Sequence, residues 1–258
     1  MAANQPQIHG ERLEQLKLKP RRLGKLKAFC EQLAEILGND LVSLYVFGDA
    51  VRGDWDPASD DINVLVVQQR VDFNELQRIG GTVAEAQRQA RVATLFMTYA
   101  EVLESSDVYS LRFDDLKRHN LHVAGEELFS GLQIASEQLR FVCELELRNI
   151  VLKLRNFYLR SYLQPKLEQK TLMTLFRSVT LPLRTLHRLL DLAEASTTQA
   201  TLEGLSESLG VTTTTFMTQL PVLSRGGRLN QHDLAQSYSE FNQLILHAVE
   251  RVDRLELD

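Results

Sequence analysis

No apolar stretch in this sequence is long enough to cross a bilayer. The most continuous, Ile62 to Val67, is broken by Asn63, against about 20 residues for a spanning helix. The first residues, Met-Ala-Ala-Asn-Gln-Pro-Gln, have neither a basic start nor an apolar core, so no secretory leader is expected. Cysteine is scarce. Cys30 and Cys143 lie far apart inside helical patterns, which points to buried free thiols rather than a disulfide and suits a reducing cytoplasm. A basic surplus is missing too. The net charge of -5 argues against non-specific nucleic-acid binding by the whole molecule. There is no Walker A sequence, dinucleotide fingerprint, nucleophile elbow or CxxC pair. No Gly/Ser-rich or Pro-rich linker divides the chain.

What is present is an ordinary globular mix, 44% hydrophobic and 24% charged, with 258 residues for two modest domains. Leu23, Leu26, Phe29, Cys30, Leu33, Ile36 and Leu37 recur at helical spacing, predicting a helix over 22–37 that stops at Gly38-Asn39-Asp40. Residues 41–47 and 62–67 read as strands, the second nearly apolar and therefore central in a sheet. Asp72 can cap a helix to about Gln89, weakened at Gly80-Gly81. Strands are expected at 92–99 and 108–116, with a short fifth at 121–124. Beyond residue 135 only helices are expected: 135–163, 170–195 with a kink at Pro182, 199–209, 213–224 and 231–255. The fold class is thus an α/β domain with a mixed sheet and flanking helices, over 1–130, followed by an all-α helical bundle over 131–258.

The chemistry concentrates where strand 41–47 ends at Gly48 and a polar loop returns through Asp61 into the second strand. A glycine there lets backbone approach a ligand, and amides opening the next turn favour a phosphate. Asp61 and Asn63 are two apart, so they project from the same face of a strand. Two carboxylates so placed would hold paired Mg²⁺ ions for in-line phosphoryl transfer.

The stretch from Phe47 to Val67 resembles nucleotidyltransferases of the polymerase-beta superfamily, including those with the two-domain organisation of kanamycin nucleotidyltransferase. That group carries Gly-Ser or Gly-Gly, about a dozen residues, then Asp-hydrophobic-Asp/Glu. Gly48, Arg52, Gly53, Ser59 or Asp60, Asp61 and Ile62 fall on the pattern. The resemblance covers about residues 25–125, and the helical half looks like the bundle such enzymes append. Residues 139–155 also resemble a group of bacterial proteins with this two-part organisation. The resemblance implies nucleotide binding at Gly48, Asp49 and Arg52, and Mg²⁺ held by Asp61 and position 63.

Three departures shape the expectation. The serine after glycine is Asp49, an anion where a hydroxyl would face phosphate. The second metal carboxylate is Asn63, whose amide brings no charge. The third acid is placed in Ser110 to Leu116, where Arg112 stands for a glutamate and Asp114 or Asp115 substitutes. The chain is therefore expected to be nucleotidyltransferase-like and catalytically degenerate, with catalytic positions Asp61, Asn63 and Asp115. It would bind a nucleotide or a protein partner in the cleft between its domains, and bind Mg²⁺ weakly or not at all. The alternative is an active Mg²⁺-dependent enzyme moving a nucleotidyl group onto a small molecule or protein, using Asp61 with Asp49 or Asp115.

Other features have plainer readings. Asp49, Asp54, Asp56, Asp60 and Asp61 oppose only Arg52 in the loop, and such residues also serve simply as turn formers. The basic run through residue 27 reads as a solvated helix face. His119 and His122 lie in a strand or loop, where their spacing does not suit a metal. Arg140, Glu144, Arg148 and Arg155 share one helix face, read as a salt-bridged face, a subunit interface or a wall for an anionic ligand. The helical domain is the expected surface for any homo-oligomer.

Overall fold

The computed structural model describes residues 7–54 and 61–256. The chain divides into two compact units, Met1–Ile134 and Ala135–Asp258.

The first unit is a four-stranded mixed sheet with helices on both faces. Its strands, β1 (Leu41–Phe47), β2 (Ile62–Gln68), β3 (Val92–Thr98) and β4 (Asn120–Gly125), lie in the order β3-β2-β1-β4. β2 and β3 run parallel; β1 is antiparallel to both β2 and β4. Every residue of β1 is buried, as a central strand covered on both faces requires. Leu44, Val46, Ile62, Val64 and Val66 pack one face against α1 (Pro20–Leu37) and α3 (Phe73–Ala90). Tyr45, Phe47, Leu65, Val67 and Met97 pack the other face with Phe113, Leu116 and Phe129. Pro20 opens α1 and Asp72 caps α3, its carboxylate accepting from the Glu75 amide at 2.9 Å. The helix continues through Gly80-Gly81. A capping box between Thr98 and Glu101 starts the short α4 (Tyr99–Glu104).

One expected strand is a helix. Residues 108–116 contribute most of α5 (Ser110–Arg118). Leu111 and Phe113 suggest alternation, but Tyr109, Phe113 and Leu116 stand at i, i+4 and i+7, and that helical spacing prevails. Phe113 and Leu116 fill the second core, and the Tyr109 and Phe113 rings lie 5.8 Å apart.

The second unit is all helical: α6 (Ser136–Ser161), α7 (Pro165–Leu189), α8 (Thr198–Leu209), α9 (Thr214–Ser224) and α10 (Gln231–Asp253). α7 runs through Pro182 and starts five residues before the expected Lys170, with Pro165 in its first turn. Phe216 stacks against Phe176 and Phe241, each at 5.2 Å between ring centroids. Cys30 and Cys143 are free and buried, and burial pushes both thiols up to about 12. No helix among the described residues is long and apolar enough to cross a membrane.

Candidate functional site

The site is built where β1 ends. Gly48 has φ 79° and ψ -146°, a region that side chains rarely adopt. Its carbonyl accepts from the amides of Val51 and Arg52 at 3.0 Å, closing the single turn of α2 (Asp49–Arg52). A Cβ at Gly48 would lie 3.2 Å from Asn63 Nδ2 and 3.9 Å from Arg52 Nη2. Gly48, Arg52 and Asn63 therefore share one corner. Asn63 pairs in register with Phe47 on β1 and Ala93 on β3. It is only partly buried and lies on the sheet face that carries Leu65 and Val67.

Arg52 is the hub of this corner. Its guanidinium donates from Nη1 to Asp115 Oδ1, and from Nη2 and Nε to Asp49 Oδ1 at 3.1 and 3.3 Å. The side chains of Arg52 and Asp115 are 9% and 8% exposed, so this pair is shielded from water, while Asp49 is half-exposed. Asp115 sits on α5 rather than on a strand, which corrects its expected setting as a third acid on the sheet. Arg112 lies on the same helix, so it does not stand on a sheet strand in place of a glutamate. Asp114 is engaged by Arg118 at 3.0 Å.

The strand beside β2 is β3, and it presents no carboxylate next to Asn63; the paired residue is Ala93. Asp61, just ahead of β2, instead meets a cation. Arg91, just ahead of β3, donates from Nε to Asp61 Oδ1 at 3.0 Å. Parallel pairing of Ile62 with Val92 brings these neighbours together. Arg91 was missed from sequence. The available signal was a basic residue directly before the strand that follows α3.

Among the described residues, the side chains at this corner do not fit a Mg²⁺ pair. The donor next to Gly48 is a neutral amide, Asp61 is paired with Arg91, and Asp49 and Asp115 share the one guanidinium of Arg52. Among the described residues no group of three His, Cys, Asp or Glu side chains could hold a metal ion. Asp56, Ser59 and Asp60 lie outside the described residues.

The weaker candidates separate from the site chemistry. His122 stacks on Tyr45 at 4.9 Å and its Nδ1 accepts from Arg12 at 3.4 Å. Burial is the main cause of its lowered pKa. On α6, Glu144 bridges Arg140 at 3.4 Å and Arg148 at 2.7 Å, and Arg148 also meets Asp253. That is a salt-bridged helix face.

No protein-family model and no curated protein matches this sequence. Among solved structures, the chain is similar to spectinomycin adenyltransferase AAD(9) from Enterococcus faecialis, solved with ATP and spectinomycin. The TM-score is 0.56 at 12% sequence identity, over 87% of this chain and 98% of that one. At that identity the likeness shows the fold alone: the chain folds as that adenyltransferase does.

Proposed function

We propose that this chain is a nucleotidyltransferase-like protein that has given up metal-dependent transfer and binds a nucleotide through the Gly48 corner. The observation that carries the reading is that each described acid the chemistry would need is held by an arginine. Arg91 holds Asp61, and Arg52 holds both Asp49 and Asp115. A divalent ion would have to displace two guanidinium groups and accept Asn63 as a neutral ligand. The fold likeness to an adenyltransferase solved with ATP supports a nucleotide as the occupant. The tight turn at Gly48, which leaves no room for a side chain, supports close backbone approach.

The test is titration of the full chain with ATP, with and without millimolar Mg²⁺, alongside an assay for pyrophosphate release. The reading expects saturable ATP binding that Mg²⁺ changes little, with no pyrophosphate above background. Mg²⁺-dependent pyrophosphate release would establish an active transferase instead.

A protein partner is a second reading, supported by the surface of α6. Phe141, Leu145, Leu152 and Leu159 are all substantially exposed. Their spacing of 4, 7 and 7 puts them within about 40° of one another around the helix. Such a stripe suits a helical partner or a second copy of this chain. Light scattering of the chain with Leu152→Glu and Leu159→Glu tests self-association. A monomeric wild type would remove the second copy as the occupant.

A further inference from the structure

We infer that the helical unit carries a binding site for a phosphate-bearing small molecule, lined wholly by residues of that unit. The site is a cavity of about 510 Å³ between the first half of α7 and the turn from α9 to α10. Its lining includes four cations, Lys166, Lys170, Arg177 and Arg228, and no acidic side chain. Three of them form one stripe. Lys166, Lys170 and Arg177 stand at i, i+4 and i+11, and with Met173 they fall within about 60° around the helix. Arg228 faces them from the turn, where Gly227 is held by the Gln169 side chain, whose Nε2 donates to the Gly227 carbonyl at 2.9 Å.

One feature separates this cavity from an ordinary solvated basic face: four cations converge on one concavity whose lining, among the described residues, holds no acid. None of the four cavity cations takes part in an ion pair among the described residues. Converging like charges repel, and a chain of net charge -5 has acids available to neutralise them. Leaving them open is the arrangement of a site whose counter-charge comes from a ligand.

The shape selects among anions. The volume falls in the range of small-molecule pockets. Met173 and Leu223 give it apolar walls beside the charged ones, and Ser224 and Thr174 add hydroxyls. The N-terminus of the 25-residue α7 lies at the same end and adds a positive field. Lysine and arginine side chains facing one another across a concavity suit the several oxygens of a polyphosphate better than a lone carboxylate. The ligand class is therefore a polyphosphate group, either free or borne by a nucleoside.

The experiment is calorimetric titration of the full chain with inorganic triphosphate, ATP and adenosine. Each is measured on wild type, on the double variant Lys170→Ala/Arg177→Ala, and on Arg177→Lys. The four cations are exposed, so these variants should fold, and circular dichroism checks that they do. Triphosphate should bind wild type and weaken by about tenfold or more in the double variant, while Arg177→Lys stays within about threefold. Binding should also weaken with added salt. Asn63→Asp, at the Gly48 corner, is measured beside them: triphosphate binding lost in the double variant and kept in Asn63→Asp assigns it to this cavity, while loss in Asn63→Asp alone assigns it to the corner and overturns the inference, so this site and the proposed nucleotide reading can fail separately. If the double variant loses more affinity for ATP than for triphosphate, the natural ligand carries a nucleoside; equal losses point to polyphosphate itself. Equal triphosphate affinity in wild type and double variant would overturn the inference. So would adenosine binding as well as ATP in a manner sensitive to the double variant. A single-stranded oligonucleotide that outcompetes triphosphate at the same residues would replace it with a nucleic-acid groove.

Discussion

Two sites of this molecule, one in each unit, treat positive charge in opposite ways. In the α/β unit, the arginines around the Gly48 corner are consumed internally: Arg52 by Asp49 and Asp115, Arg91 by Asp61. In the helical unit, Lys166, Lys170, Arg177 and Arg228 line a cavity without an acid among them. The difference separates charge spent inside the fold from charge left facing a cavity. A guanidinium locked between carboxylates holds a fold together and leaves a ligand at that corner to the backbone around Gly48. A set of like charges left facing one another does the reverse. The Gly48 corner is thus the one whose arginines are already engaged by carboxylates.

Substitutions should expose that contrast, and the largest effect belongs to Arg52. Removing it leaves the buried Asp115 carboxylate without its cation, which costs about 3–5 kcal/mol. Denaturant unfolding of Arg52→Ala reads this as a lowered midpoint. A loss under about 1 kcal/mol would mean that Arg52 is not a structural hub.

Gly48→Ala comes next. The new residue must hold φ 79° and place its Cβ 3.2 Å from Asn63. Strain of this kind costs about 1–3 kcal/mol. Thermal unfolding checks the loss, and the same variant should lower ATP affinity if the corner binds nucleotide.

Acid should act on both units through one histidine in each, half-buried in the first and buried in the second. His122 and His187 have pKa values lowered from the ordinary 6.5, in both cases mainly by burial; for His187 the charge of Arg188 adds to it. Above about 6.5 both rings are neutral, folded or unfolded, and the stability is complete. Below it the unfolded chain takes up protons that the folded chain resists, so stability falls until the pH has passed the lowered folded values. Melting curves between pH 7.5 and 5.5 should show the decline, and His122→Gln should reduce its slope. An unchanged slope would show that His122 does not contribute.

The smallest effect is expected in the cavity. Lys170→Ala and Arg177→Ala remove exposed charges that repel each other, so stability should stay within about 0.5 kcal/mol of wild type or rise slightly. A marked destabilisation would mean that these cations are structural after all and would remove the contrast between the units.

Much of this was legible before any coordinates. β1, β2 and α6 carry long, unambiguous apolar patterns, and Gly48 announces the end of β1. What remained hidden depends on contacts remote in sequence. Residues 108–116 are a short, mixed stretch in which Leu111 and Phe113 mimic a strand, and only packing onto Phe129 and the sheet selects the helix. The third-acid position was sought on that stretch because sequence order does not reveal that β3 is the strand beside β2. The Arg52–Asp115 pair spans 63 residues and gives no local signal. The cavity was missed for a simpler reason. With α7 expected to begin at Lys170, Lys166 fell outside the helix, and the cationic stripe lost its first member.

The central claim is that the metal site has been replaced by internal arginine–carboxylate pairs and a neutral Asn63. A melting series tests it on wild type, Asn63→Asp, and Asn63→Asp with Arg91→Ala, each with and without millimolar Mg²⁺ at constant ionic strength. Without metal, the added carboxylate should cost about 1–2 kcal/mol through repulsion with Asp61. The double variant also frees Asp61 from its cation and should be the least stable. With Mg²⁺ the paired acids become ligands, so both variants should recover, the double variant most, while wild type does not move. A wild-type melting temperature that rises with Mg²⁺ as much as that of the double variant would contradict the claim.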